Sequence, residues 1–176
     1  MSTKLKIAAA VAAAVLLSAC SSPKHEPMPL VKFTPSMEVT EVWSKGLSSA
    51  EGFLVPAVYD DMVFAAGGKT LTRLNARTGE TEWSVSFNSP ITGGVGSDGY
   101  VTAVGLWDGN LEVVDAEGKV SWEKKLTTEL ASPPVVSHGL VIARTMDTRV
   151  SAFEASSGEL QWTYQKKIGR ASCRER

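Results

Sequence analysis

Four tryptophans recur along this chain at nearly constant spacing: Trp43, Trp83, Trp122 and Trp162 stand 40, 39 and 40 residues apart. A period of that length constrains the fold more than any other feature, because each repeat is one supersecondary unit that buries its apolar face only against its neighbours. A matching run precedes three of the four. It reads Leu74-Asn75-Ala76-Arg77-Thr78-Gly79-Glu80-Thr81-Glu82-Trp83, Val114-Asp115-Ala116-Glu117-Gly118-Lys119-Val120-Ser121-Trp122 and Phe153-Glu154-Ala155-Ser156-Ser157-Gly158-Glu159-Leu160-Gln161-Trp162. Gly79, Gly118 and Gly158 each lie four residues before their tryptophan, and the one-residue change of period is absorbed in the shorter Ala116-Glu117-Gly118 turn.

Each part of the run has a physical reading. Asn, Asp or Glu followed a few residues later by Gly is turn chemistry, with the Gly free to take a positive φ between two strands. The Trp is expected to open the next strand and bury a large ring, about 4 to 6 kcal/mol each as an upper bound. Its indole N–H needs an acceptor, so each Trp is expected to bridge neighbouring units through a backbone carbonyl. Between the Trp-marked turns lie short alternating segments. Met62 to Ala66, Tyr100 to Gly105 and Leu140 to Arg144 read as one set of strands, and Thr70 to Asn75, Asn110 to Asp115 and Arg149 to Phe153 as the next, joined by turns such as Asp108-Gly109. Pro56, Pro90, Pro133 and Pro134 fall where strands begin, where a missing N–H costs little. No window of twelve residues after the leader has helical periodicity. The expectation is an all-β chain with about four short strands and one aromatic dock per forty residues, which is the blade of a β-propeller.

The two ends read differently from the repeats. Lys4 and Lys6 precede an unbroken apolar run from Ile7 to Leu17, too short to span a bilayer, and Leu17-Ser18-Ala19-Cys20 resembles the bacterial lipobox. Residues 1–19 are therefore expected to be a cleaved signal peptide and Cys20 a lipidated amino terminus, anchored by several acyl chains at about 0.8 kcal/mol per buried methylene. Ser21 follows where inner-membrane retention usually has Asp, which favours the outer membrane. Residues 20–36 carry Pro23, Pro27, Pro29 and Pro35 and suit an extended tether, in which His25 is read as solvated. Residues 37–167 hold the blades. Residues 168–176, with Cys173, break the pattern abruptly and resemble the conceptual translation of a sequencing-library adapter, so they are read as a non-native tail.

Charge and composition exclude two classes. The 176 residues carry 18 Lys and Arg against 19 Asp and Glu, and without Lys4, Lys6, Arg170, Arg174, Arg176 and Glu175 the balance is 13 to 18, or −5. An acidic domain of this kind has no electrostatic basis for nucleic-acid binding. Two cysteines and two histidines, far apart, make neither a disulfide framework nor a zinc site, and no metal ligand set is expected.

The repeat, with its Asp or Asn, Ala, Gly and Trp in fixed order, resembles the tryptophan-docking repeat of the quinoprotein (PQQ-type) propellers over Trp43 to Trp162. Together with the lipobox, and with the wording of Pro90 to Gly105 and Ser132 to Trp162, it is similar to the BamB family, the propeller lipoproteins of the outer-membrane β-barrel assembly machinery. That resemblance implies an eight-bladed ring, of which this chain would hold about three blades. It also implies no enzymatic activity and no cofactor, a place on the periplasmic face of the outer membrane, and binding to the POTRA domains of BamA, to other subunits of the machinery and to unfolded outer-membrane proteins. In the family the BamA-contacting segment follows the third blade around a Leu-Arg-Gly motif, which does not occur before Lys167, so no contact residue is carried over. Two other readings stay open: a ligand- or polysaccharide-associated propeller lipoprotein, and a PQQ-dependent dehydrogenase, against which stands the absence of a vicinal Cys pair.

Several residues invite other chemistry. Asp60-Asp61 reads as solvated hairpin carboxylates, and Gly93-Gly94-Val95-Gly96 lacks the Gly-Lys-Ser of a phosphate loop and reads as strand-leading backbone. His138 beside Gly139 is read as a turn residue with no partner placed for a relay. Trp107, off the register and next to Asp108-Gly109, is expected to fold back on its own blade. Arg73 stands where the other repeats have Val113 and Ala152, either facing the channel or a neighbouring blade.

Overall fold

Alternation in the sequence becomes three four-stranded antiparallel sheets in the computed structural model, which describes residue 30 and residues 36–48 and 54–165. The first sheet is β1 (Ala57–Tyr59), β2 (Met62–Gly67), β3 (Thr70–Asn75) and β4 (Thr81–Ser86). The second is β5 (Ile91–Ser97), β6 (Thr102–Leu106), β7 (Asn110–Val114) and β8 (Val120–Lys125). The third is β9 (Val135–Ser137), β10 (Leu140–Arg144), β11 (Arg149–Glu154) and β12 (Leu160–Gln165). Strands follow one another in chain order within every sheet, and no helix forms among the described residues. These are three consecutive blades of a PQQ-like β-propeller. Pro56, Pro90 and Pro134 immediately precede β1, β5 and β9, where no ladder N–H is lost.

Burial follows from the stacking of the sheets. One apolar cluster, with Phe64, Leu71, Ile91, Val104, Leu106 and Val114, fills the space between the first and second sheets. A second, with Leu111, Val113, Leu130, Val136, Val141 and Phe153, fills the space between the second and third. The middle sheet is therefore covered on both faces, and β6 is buried along its whole length. The outermost strands β4, β8 and β12 are mostly exposed. Glycines in β5 answer to the same packing. A side chain on Gly96 would run into the Pro134 carbonyl, and one on Gly93 would meet Leu130 at 2.8 Å, so the glycine-rich run lets the approach to β9 lie against bare backbone.

Local chemistry moves two strand boundaries from those expected. β6 starts at Thr102 and not Tyr100, because the Asp98 carboxylate accepts the backbone N–H groups of Tyr100 (3.1 Å) and Val101 (2.9 Å) and holds them in a turn. β7 ends at Val114, because the Asp115 carboxylate accepts from Glu117 (3.1 Å) and Lys119 (2.7 Å). The tryptophans also sit two residues deeper than expected: Trp83, Trp122 and Trp162 are the third residues of β4, β8 and β12. A β-bulge recurs at the same place in each sheet. Arg73 pairs with Trp83 but Leu74 with Thr81, Val113 with Trp122 but Val114 with Val120, and Ala152 with Trp162 but Phe153 with Leu160. The extra residue is the one before each Trp, namely Glu82, Ser121 or Gln161, and it re-aims the ring that follows.

Thr148 holds φ 65°, in the hairpin between β10 and β11, where the matching hairpin of the second sheet has Gly109 at φ 81°. A β-branched residue there is strained. Thr148→Gly is expected to raise the stability of the full-length protein by about 1 kcal/mol in chemical denaturation, whereas Gly118→Ala, at φ 82°, is expected to lower it by about 1 to 3 kcal/mol.

Candidate functional site

The sites available to a blade array are its inter-blade contacts, its clefts and its hairpin tips. The contacts are built from the repeat itself. Trp43 donates its indole N–H to the Ala76 carbonyl at 2.9 Å, Trp83 to Ala116 at 2.9 Å and Trp122 to Ala155 at 2.8 Å. Each ring lies flat against the glycine of the same turn: a Cβ on Gly79 would come within 2.6 Å of Trp43, on Gly118 within 2.8 Å of Trp83 and on Gly158 within 2.7 Å of Trp122. These glycines serve twice, since their φ values of 72°, 82° and 70° also close the turn. The three docked rings remain partly exposed, so each contributes less than the upper bound for a fully buried indole. Trp162 is 42% exposed, and no turn among the described residues stands against it.

Arg73 resolves toward the neighbouring blade. Its guanidinium donates from Nη1 to the Ala116 carbonyl at 3.0 Å, the same oxygen that accepts from Trp83. Its Nε lies 2.6 Å from the Glu82 carboxylate, off the N–H direction, so this is a close charge contact and not a hydrogen bond. Its Cζ stands 5.8 Å from the centre of the Phe64 ring. The bulge makes the pairing possible, because Glu82 is its extra residue.

Two clefts open between neighbouring units near β4 and β12. One, about 230 Å³, lies between Lys45-Gly46-Leu47-Ser48 and the first sheet, over Thr72 and Ser84. The other, about 300 Å³, lies between Lys124-Lys125-Leu126-Thr127 and the third sheet, over Ser151 and Thr163. Both floors carry a cross-strand hydroxyl pair, Thr72 with Ser84 at 3.1 Å and Ser151 with Thr163 at 2.9 Å. The corresponding pair in the second sheet is Glu112 opposite Glu123. Burial raises the Glu112 carboxyl above the usual carboxylate range, and the charges of Glu123 and Asp108 raise it further.

Trp107 does not fold back on its own blade: it is 58% exposed at the β6–β7 tip, where its backbone N–H donates to the Pro90 carbonyl and the chain turns at once through Asp108-Gly109. Asp61 accepts from the Arg77 Nε at 2.9 Å, and no group of three His, Cys, Asp or Glu among the described residues could hold a metal ion. His138 has a partner that the spacing did not suggest, since its own neighbour Ser137 places Oγ 2.7 Å from Nδ1. That exposed pair has no carboxylate behind the ring among its hydrogen bonds, so it forms no relay. Cys20, His25 and Cys173 lie outside the described residues, as do residues 1–19 and 168–176 and most of the tether.

The raised Glu112 carboxyl has a signed consequence. Its penalty on the fold is absent below the ordinary carboxylate pKa and complete above the raised one, so Glu112→Gln is expected to raise stability by on the order of 0.5 kcal/mol at neutral pH. The gain is expected to vanish as the pH falls through the acid range, read from thermal melts at several pH values.

Known proteins agree with this geometry. The family model described as outer membrane protein assembly factor BamB matches residues 39–90 and 67–175. The outer membrane protein assembly factor BamB of Burkholderia pseudomallei is 38% identical over 164 residues, which cover 90% of this chain and 43% of the relative. The crystal structure of BamB from Moraxella catarrhalis aligns with a TM-score of 0.58 and 26% identity, over 69% of this chain and 37% of that one. A europium-containing methanol dehydrogenase aligns with the same TM-score at 15% identity over 69% of this chain and 26% of its own, a likeness of fold alone. This chain thus spans about two fifths of the length of the relatives it matches. The docked Trp–Gly repeat and the match along residues 39–175 place the chain in the BamB family of PQQ-like β-propellers.

Proposed function

We propose that this protein is a non-enzymatic scaffold lipoprotein of the outer-membrane β-barrel assembly complex, which helps insert barrel proteins by binding BamA through its POTRA domains, other subunits of the complex and unfolded barrel clients. The observation that carries this reading is the family match along residues 39–175. The Trp-docked blades support it physically, since the indole-to-carbonyl hydrogen bonds hold one blade to the next as stacked surfaces. The likeness to the methanol dehydrogenase concerns the fold and brings no cofactor site to this chain.

In this reading residues 1–19 are removed, Cys20 carries the lipid, and residues 20–36 tether blades beginning at residue 37 to the periplasmic face of the outer membrane. Residues 37–167 supply propeller blades, and 168–176 form no part of the native repeat. Unfolded barrel strands need backbone hydrogen-bond partners, and exposed blade edges offer them by strand addition. Full-length protein is expected to bring down BamA after mild detergent extraction, and Cys20→Ser is expected to move it from the membrane to the soluble periplasmic fraction. Failure to recover BamA from intact membranes would remove the assembly role, and an unchanged membrane association of the Cys20→Ser variant would remove the anchor.

A further inference from the structure

Each of the two clefts described above sets a lysine over a cross-strand hydroxyl pair, a combination that the second sheet lacks. Two residues beyond Trp43 stands Lys45, and two beyond Trp122 stands Lys124, each lining its cleft over a hydroxyl pair. Two beyond Trp83 stands Val85, on the side where the pair is Glu112 and Glu123. Cation over hydroxyls thus alternates with aliphatic over acids. The larger cleft adds Arg149, whose buried Nε–H finds no hydrogen-bond acceptor among the described residues.

Lys124 has no ion-pair or hydrogen-bond partner among the described residues. Lys125 turns its ammonium to the Asp108 carbonyl. Arg149 donates from Nη2 to Gln165 at 3.4 Å, and its Nε stands 3.7 Å from the Asp147 carboxylate, beyond hydrogen-bond reach. Both Asp147 oxygens are already engaged, by the hydroxyl of Thr145 and by that of Thr127 at 2.9 Å. Glu123 belongs to the opposite face of β8, alternating with Trp122 and Lys124. Two cations therefore face the cavity with one carboxylate beside them, a balance that suits a single negative charge better than a dianion. The hydroxyl protons of Thr145, Thr127 and Thr163 are committed to Asp147 and to the Val150 carbonyl, so recognition falls to Lys124 and Arg149. The remaining lining, Leu126, Ala143, Phe153 and Leu160, is apolar.

We propose that the cleft between the second and third blades is a binding site for a carboxylate carried on an apolar stem, as an acidic side chain or a chain terminus of an extended peptide presents it. A volume of about 300 Å³ accommodates one such side chain with its neighbouring backbone, and the Lys124 ammonium and the Arg149 guanidinium that line it supply the positive charge such a ligand would meet. The site is independent of the assembly role proposed above, and its failure would leave that role standing.

The test uses hexanoate as probe, with hexanamide and inorganic phosphate as controls, titrated into the full-length protein and read from backbone amide NMR shifts. Hexanoate is expected to give saturable millimolar binding with shifts concentrated at Lys124–Thr127 and Thr145–Ser151. Lys124→Ala and Arg149→Gln are each expected to weaken it about tenfold, while Lys119→Ala on the exposed turn leaves it unchanged. No saturation with hexanoate, equal binding of hexanamide, tighter binding of phosphate, or insensitivity to Lys124→Ala would each overturn the proposal. Lys124 is exposed, so its variant keeps the fold even if Arg149→Gln does not.

Discussion

An indole ring lying on a glycine and donating to the carbonyl two or three residues before it is the contact on which the remaining architecture depends. The sheets are short antiparallel meanders, and a four-stranded meander with one exposed outer strand has little stability of its own. The Trp ties the outer strand of one blade to the outer turn of the next, while the apolar clusters join the blades nearer their inner strands. Two anchors per interface, one apolar and one directional, fix both distance and rotation between blades. A hydrogen bond leaves an indole one choice of partner, and the glycine leaves the ring one distance.

The bulge beside each Trp explains how a strand can present its ring sideways. In a regular ladder Trp83 would stand opposite Arg73 and continue in step toward Leu74. The additional residue breaks that step, increases the local twist and turns the indole toward the adjacent turn. Its own side chain is left without a cross-strand partner and becomes available for other uses. In the first blade that use is the Glu82–Arg73 contact, which brings a second donor to the Ala116 carbonyl already held by Trp83. The first interface is thereby more polar than the second, where Val113 stands in the place of Arg73 and Trp122 packs on Phe153 at 6.1 Å.

The strands, the turns and the docking glycines were legible in the sequence because all three obey a fixed spacing, and spacing survives without any knowledge of tertiary contact. The bulge was not, since Glu82, Ser121 and Gln161 share no chemistry and only the pairing register reveals them. The identity of each Trp acceptor needed the chain to close on itself, although the constant offset from Trp to Ala could have suggested it. Glu112 read as one more polar residue on an alternating strand; that it stands opposite a second carboxylate, in the place of a hydroxyl pair, depends on register. The exposure of Trp107 is not legible in the sequence, because a hydrophobic ring beside a hairpin suggests burial, whereas here the ring sits within the three-residue tip between β6 and β7. The carboxyl-facing cleft rests on lysines two residues beyond a Trp, a position that reads simply as surface in a strand of alternating polarity.

Each indole finds its acceptor 33 residues further along the chain, in all three docked pairs. The entropy of closing every such loop is therefore the same, and it is modest for a β protein because it grows only with the logarithm of length. A blade can lock its predecessor as soon as its own outer turn has formed, without waiting for distant sequence. Folding of this architecture is thus suited to proceed in the order in which the chain is delivered, each new turn fastening the tryptophan left waiting by the blade before it.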